Sequence, residues 1–134
     1  MANFRRGLSQ SLGMRQELKI NRTFLQSDIK VGVGSVLPHS FAGYSGGAKL
    51  MLPGLADLQA TARSHKFVQM GLRGGRDPNQ NRFRLEIEQL ARQLGFQYAV
   101  CIVPNSRRET AGVVCGDVVA AHRRACTLIS ATVP

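Results

Sequence analysis

The sequence has no tryptophan, only 6% aromatic residues, three cysteines, and eight acidic residues against eighteen basic ones. It also lacks any apolar run near the roughly 20 residues needed to cross a bilayer, and its opening, MANFRRGLSQSLG, lacks the apolar centre of a secretory signal. These absences argue against a membrane span or a secreted, disulfide-stapled domain, so the expected setting is cytoplasmic. Cys101, Cys115 and Cys126 form no C-x-x-C pair, are odd in number, and each lie in an apolar segment. They are read as reduced, buried core residues and not as metal ligands. The shortage of aromatics also bears on the net charge of +10. Its arginines fall in small scattered groups, at Arg5–Arg6, Arg73–Arg76, Arg82–Arg84, Arg107–Arg108 and Arg123–Arg124, with too few interleaved aromatics to form a stacking platform for nucleic acid. An anionic substrate, a phosphate-bearing cofactor or an acidic partner surface accounts for diffuse positive charge equally well.

What is present is a chain of 134 residues with 43% hydrophobic content, near the usual size of one domain and able to bury a modest core of Val, Leu, Ile and Ala. The polar and apolar positions of Gln16–Phe24 alternate as in an edge strand leading to a turn. Asp28–Val36, DIKVGVGSV, has the β-branched and glycine composition of a buried strand that stops before Pro38. A helix is expected over residues 57–66 with Asp57 as its cap, then a mobile glycine-rich loop, QMGLRGGRDPNQ. From Asn79 or Asn81 to Leu94, the apolar positions Phe83, Ile87, Leu90, Ala91 and Leu94 form one helical stripe that ends at Gly95. FQYAVCIVPN reads as a second buried strand and ETAGVVCGD as a shorter third. Asp117 caps a final helix over DVVAAHRRACTLISATV. Strands alternating with helices imply an α/β fold, with a small parallel or mixed sheet carrying helices on its faces.

One segment stands apart. Leu37–His65, LPHSFAGYSGGAKLMLPGLADLQATARSH, holds two of the three histidines, one of the four lysines, and Gly43, Gly46, Gly47 and Gly54. It begins at the C-terminal edge of a strand, where open α/β sheets place ligands. GYSGGAKL is not a P-loop, because Ala48 stands at the second glycine and Leu50 at the hydroxyl position. The underlying physics survives, since closely spaced glycines let backbone N–H groups approach an anion and Lys49 adds a cation beside them. His39, after Pro38 at a strand end, is placed to act as a general acid or base near neutral pH. His65, at a helix end, could ligate a metal, although nothing nearby in sequence supplies the other usual protein ligands. His122, alone on the last helix, is read as a structural histidine.

PHSFAGYSGGAK, followed by LPG and then SH, resembles the core motif of the nickel-dependent lactate racemase family, the LarA-type enzymes. The likeness extends upstream through NRTFLQSDIKVGVGSVLPH and downstream through LEIEQLARQLGFQYAVCIVPN and VVCGDVVAAHRRA, so it spans nearly the whole chain. It implies a nickel-pincer nucleotide, a pyridinium mononucleotide bound covalently to Lys49 through a thioamide. The cofactor would supply two sulfurs and one carbon to nickel, and His65 would supply the fourth ligand. It further implies a 2-hydroxyacid racemase or epimerase, an isomerase that moves the substrate's α-hydride to the pyridinium and back, with His39 as one of two acid/base histidines. Gly43, Ser45, Gly46 and Gly47 would let the backbone approach the cofactor, whose chemistry the protein directs by placement and proton transfer. Implied partners are a small 2-hydroxy acid and the cofactor-biosynthesis proteins, with no membrane and no nucleic acid.

The same resemblance implies that residues 1–134 form part of the N-terminal domain of a longer two-domain protein, with 117–134 starting the connection to the second domain. The second acid/base histidine and a substrate-binding arginine would lie upstream. A partial domain would expose apolar surface and tend to form homo-oligomers. Two other readings compete with this one: a basic nucleic-acid-binding module, whose binding would fall steeply with salt, and a cofactor-free relic of the same fold. Lys49 together with His39 and His65 separates the enzyme from the nucleic-acid binder, which does not need that arrangement, whereas the relic predicts a Lys49→Ala variant that behaves like wild type in every assay.

Overall fold

The computed structural model describes residues 2–4, 18–69 and 77–132. Its centre is a three-stranded mixed sheet in the order β3 (Val31–Ser35), β6 (Tyr98–Pro104), β7 (Thr110–Asp117), parallel between β3 and β6 and antiparallel between β6 and β7. Two small antiparallel pairs flank it: β1 (Ala2–Phe4) with β2 (Leu18–Ile20), and β4 (Pro38–His39) with β5 (Gly43–Tyr44). The helices are α1 (Arg22–Gln26), α2 (Leu58–Gln69), α3 (Arg82–Gln93) and α4 (Val118–Thr132). A 3-10 turn covers Gly47–Leu50. The α/β class and mixed sheet are as the sequence predicts. Among the described residues the helical layer lies on one face of the sheet.

Caps explain where the helices begin. Asn81 Oδ1 accepts from Arg84 N at 2.9 Å at the start of α3, Asp57 Oδ1 accepts from Ala60 N at 2.9 Å before α2, and Asp117 Oδ1 accepts from Val119 N and Ala120 N, each at 3.0 Å, before α4. The predicted α3 stripe of Phe83, Ile87, Leu90, Ala91 and Leu94 is buried throughout. Each of its larger side chains contributes on the order of 1.5–3 kcal/mol by leaving water. Ala99, Cys101 and Val103 of β6 join this core with Val118, Ala121, Ala125 and Ile129 of α4.

Three expectations need correction. Among the described residues the strand predicted over Gln16–Phe24 ends at Ile20, because Asn21 accepts from Phe24 N at 3.1 Å and turns the next five residues into α1. β3 is shorter than Asp28–Val36 and is not buried: Val31 and Val33 are 54% and 62% exposed. Its glycines face inward instead, and a Cβ on Gly32 would lie 2.5 Å from Phe96 Cζ, so the core packs directly on backbone there. Cys115, expected in the core, is exposed and free on the outer side of β7, whereas Cys101 and Cys126 are buried. The glycine-rich stretch predicted to be mobile lies, over residues 70–76, outside the described residues, as do Arg5, Arg6, Arg73 and Arg76.

Several arginines, inside and outside the scattered groups, serve the fold. Arg123 grips both oxygens of Glu88 at 2.7 and 2.8 Å, and Arg92 does the same to Asp117 at 3.1 Å. Arg84 is fully buried. No helix among the described residues is long and apolar enough to cross a membrane.

Candidate functional site

The chain leaves β3 and is pinned at once. Ser45 Oγ accepts from Leu37 N and donates to Ser35 O, both at 2.9 Å, while Ser45 N donates to Leu37 O at 2.8 Å. This clasp closes Val36–Ser45 into a compact excursion carrying the β4–β5 pair. Gly46 and Gly47 follow with φ of 73° and 57°, left-handed values that favour glycine, and they launch the 3-10 turn that holds Lys49.

Two buried side chains hold this loop from beneath. Arg84 of α3 donates through Nη1 to Gly46 O at 3.1 Å and through Nη2 to the carbonyls of Ala42 and Tyr44. His122 of α4 donates through Nε2 to Ser45 O at 2.9 Å, and its ring lies so close to Gly47 that a Cβ there would come within 2.8 Å of it. Burial, with the Arg84 charge beside it, pushes the His122 pKa down to about 3, so the ring is neutral and structural. Burial also raises the neighbouring Cys126 thiol to about 12, which leaves it protonated and unreactive.

The outer side of the loop gathers the predicted site residues around Phe41. The Phe41 ring packs on Phe83 of α3 at 5.2 Å, and Asn81 Nδ2 donates to Phe41 O at 2.8 Å. Around that fixed ring stand His39 at 4.7 Å and His65 at 5.5 Å between ring centroids, and Lys49 Nζ at 5.4 Å from the ring centre. The two histidines and the lysine, up to 26 positions apart in sequence, therefore share one small surface.

Their hydrogen bonds fix what each can do. His65 Nδ1 lies 2.7 Å from Thr61 O, and a carbonyl only accepts, so Nδ1 carries the proton and the Nε2 lone pair is free for a metal. His39 Nδ1 instead accepts from Phe41 N and Ala42 N, both at 3.4 Å, which puts the proton of the neutral ring on Nε2. To take a proton at Nε2 the ring must first carry its own on Nδ1, giving up two long contacts. Partial burial, then the charges of Lys49 and Arg84, lower the His39 pKa and favour that neutral ring. Burial and the Arg84 charge bring Lys49 down to about 8, which gives its amine an appreciable uncharged fraction near neutral pH. Among the described residues no three His, Cys, Asp or Glu side chains cluster to hold a metal, so a metal on His65 would draw its remaining ligands from outside this set.

Of the predicted residues, Gly43, Gly46 and Gly47 shape the loop, and the Ser45 hydroxyl is engaged with the end of β3. Arg84, Phe41 and the loop-holding role of His122 were not identified from sequence. A signal for Arg84 existed, since it stands beside Phe83 and one turn from Glu88, within the apolar stripe of α3.

The model of the lactate racemase N-terminal domain matches residues 10–73. The lactate racemase of Thermoanaerobacterium thermosaccharolyticum is 27% identical over 116 residues, which cover 85% of this chain and 27% of that protein. That of Lactiplantibacillus plantarum is 27% identical over 112 residues, covering 82% and 26%. The chain thus spans about a quarter of the length of these curated relatives. The structure of the T. thermosaccharolyticum lactate racemase apoprotein superposes with a TM-score of 0.79 at 26% identity, over 87% of this chain and 28% of that one. A Thermotoga maritima protein shares the fold with a TM-score of 0.71 at 22% identity, over 96% of this chain and 35% of that one.

Proposed function

We propose, from its likeness to the N-terminal domain of the lactate racemases, that this chain carries part of a 2-hydroxyacid racemase site built around a nickel-pincer nucleotide. The observation that carries the reading is the convergence of Lys49, His39 and His65 around Phe41. Lys49 is the attachment residue, with an amine whose depressed pKa suits it to a covalent bond. His65 is the protein ligand to nickel, its free Nε2 oriented by the bond from Nδ1–H to Thr61 O. When bound, the group supplies a nickel centre and a hydride-accepting pyridinium. His39 moves the proton of the substrate hydroxyl at Nε2, and Gly43, Ser45, Gly46 and Gly47 set how closely the backbone approaches. Residues 117–134, which include α4, form the start of the connection to a second domain.

The substrate class is a small 2-hydroxy acid, and the partners are the proteins that build and load the cofactor. By residues 1–134 alone we expect little or no racemisation, because the second acid/base histidine and the substrate arginine that the resemblance implies have no counterpart among them. The test is nickel content after production alongside the biosynthetic proteins. Nickel should be retained by the wild type and lost on His65→Ala in a protein that stays folded. Equal nickel in both would contradict the assignment of His65.

A further inference from the structure

We propose that Arg84 is the positioning residue of the Lys49 loop: its guanidinium fork sets the path of Ala42–Gly46 and holds a buried positive charge beneath Lys49 and His39. Arg84 is fully buried, a placement that costs several kcal/mol unless the charge is paired and well hydrogen-bonded. No carboxylate forms a close ion pair with it among the described residues, and Glu88 acts on it only through space. Arg84 takes part in no salt bridge there, since Glu88, one turn along α3, gives both oxygens to Arg123 at 2.7 and 2.8 Å. Its Nε has no hydrogen-bond partner there either. A methionine or leucine would fill this space without the desolvation cost, so packing alone does not account for an arginine.

Geometry does account for it. Two nitrogens of one rigid fork reach the carbonyls of Ala42, Tyr44 and Gly46, alternate residues of the loop, and a lysine cannot reproduce that spread. The groups that bear on the charge state of the site are Arg84 from α3, Lys49 from the 3-10 turn, His39 from β4 and His65 from α2. All four are basic; the carboxylate that bears on Arg84 itself is Glu88, which Arg123 holds. The buried charge therefore disfavours a proton on either Lys49 or His39, in the same direction as burial, and it does so from a fixed place because the fork that carries it also builds the loop.

The biological meaning of this inference rests on the reading of Lys49 as the attachment residue, but its test needs no cofactor. The wild-type chain is acylated with acetic anhydride across a pH series, and each lysine is followed by peptide mass. Lys49 should be half-labelled near pH 8, well below the ordinary lysine value of about 10.4. Arg84→Met should move the Lys49 midpoint up by roughly one pH unit or more, and Arg84→Lys, which keeps the charge and loses the fork, by less. Leu90→Ala, which loosens the same helix elsewhere, should leave the midpoint in place.

A wild-type Lys49 with the midpoint of an ordinary lysine overturns the inference even if no variant folds. So do folded Arg84 variants with the wild-type profile, or a Leu90→Ala shift as large as that of Arg84→Met. A low Lys49 midpoint without cofactor attachment would sink the proposed function and leave this inference standing. An ordinary midpoint with attachment would do the reverse.

Discussion

The Ala42–Met51 loop and the outer face of the β3–β6–β7 sheet belong to the same small domain, yet they treat polar and apolar groups in opposite ways. Beneath the loop the fold buries an arginine and a histidine and directs both at backbone carbonyls. On the outer sheet face it leaves Val31, Val33, Tyr98 and Val113 largely uncovered, with Cys115 in register beside Val33 and Val100. Buried polar donors add little net stability and fix position strongly. Bare valines do neither, and they mark a surface that another segment or molecule can cover. The loop is built for geometry, and the face is built for burial.

The sharpest way to break that contrast is one substitution made twice, just past the loop and in the sheet. Gly54→Ala puts a Cβ 2.2 Å from Leu50 O, a backbone atom that moves only if the whole turn moves, and should cost more than about 4 kcal/mol or abolish cooperative melting. Gly112→Ala, in β7 with nothing within 4 Å of its new Cβ, should stay within about 0.5 kcal/mol of wild type by chemical denaturation.

Acid should act next, and through the loop. The native His122 ring stays neutral down to about pH 3, whereas the unfolded chain binds a proton below its ordinary value near 6.5. Stability carried by the neutral ring is thus present above that value and lost as pH falls from about 6.5 toward 3. His122→Gln should flatten this part of the curve in denaturant titrations at stepped pH.

A smaller pH linkage of the same sign, in a more alkaline window, is expected at Lys49. Its folded pKa near 8 lies below that of the unfolded lysine, so the charged amine opposes folding at neutral pH and below. Lys49→Met should leave the protein as stable as wild type at pH 7, or up to about 1 kcal/mol more stable once solvent screening of this half-exposed group is discounted. A clear destabilisation would show that the amine helps to hold the loop. The smallest effect belongs to the sheet: Val33→Lys should change stability by no more than about 0.5 kcal/mol while reducing self-association in sedimentation.

What was legible in the sequence follows the same division. Asp57 and Asp117 announced their helices because a cap is a local device, and the α3 stripe announced its buried face because periodicity is local too, but the choice between Asn79 and Asn81 as its start is settled only by the bond from Arg84 N to Asn81 Oδ1. The collection of His39, Lys49 and His65 was visible as residue types in an unusual loop. Their meeting around Phe41 was not, since it depends on α3 presenting Phe83 and Asn81 to that ring. Arg84 was passed over because an arginine four residues before a glutamate on a helix ordinarily forms a solvated surface pair. The exposure of Val31, Val33 and Cys115 was hidden for a related reason: an apolar run records a tendency to be covered, and the cover lies elsewhere in space.

The central claim is that this loop is shaped to carry a covalently attached cofactor on Lys49. Its most direct test is the intact mass of the chain after production alongside the cofactor's biosynthetic proteins, with Lys49→Ala as control and the adduct mapped by peptide mass. The account predicts an adduct of cofactor mass on the Lys49 peptide of the wild type and none in the variant. An unmodified wild-type chain, or an adduct that persists in Lys49→Ala, would contradict it.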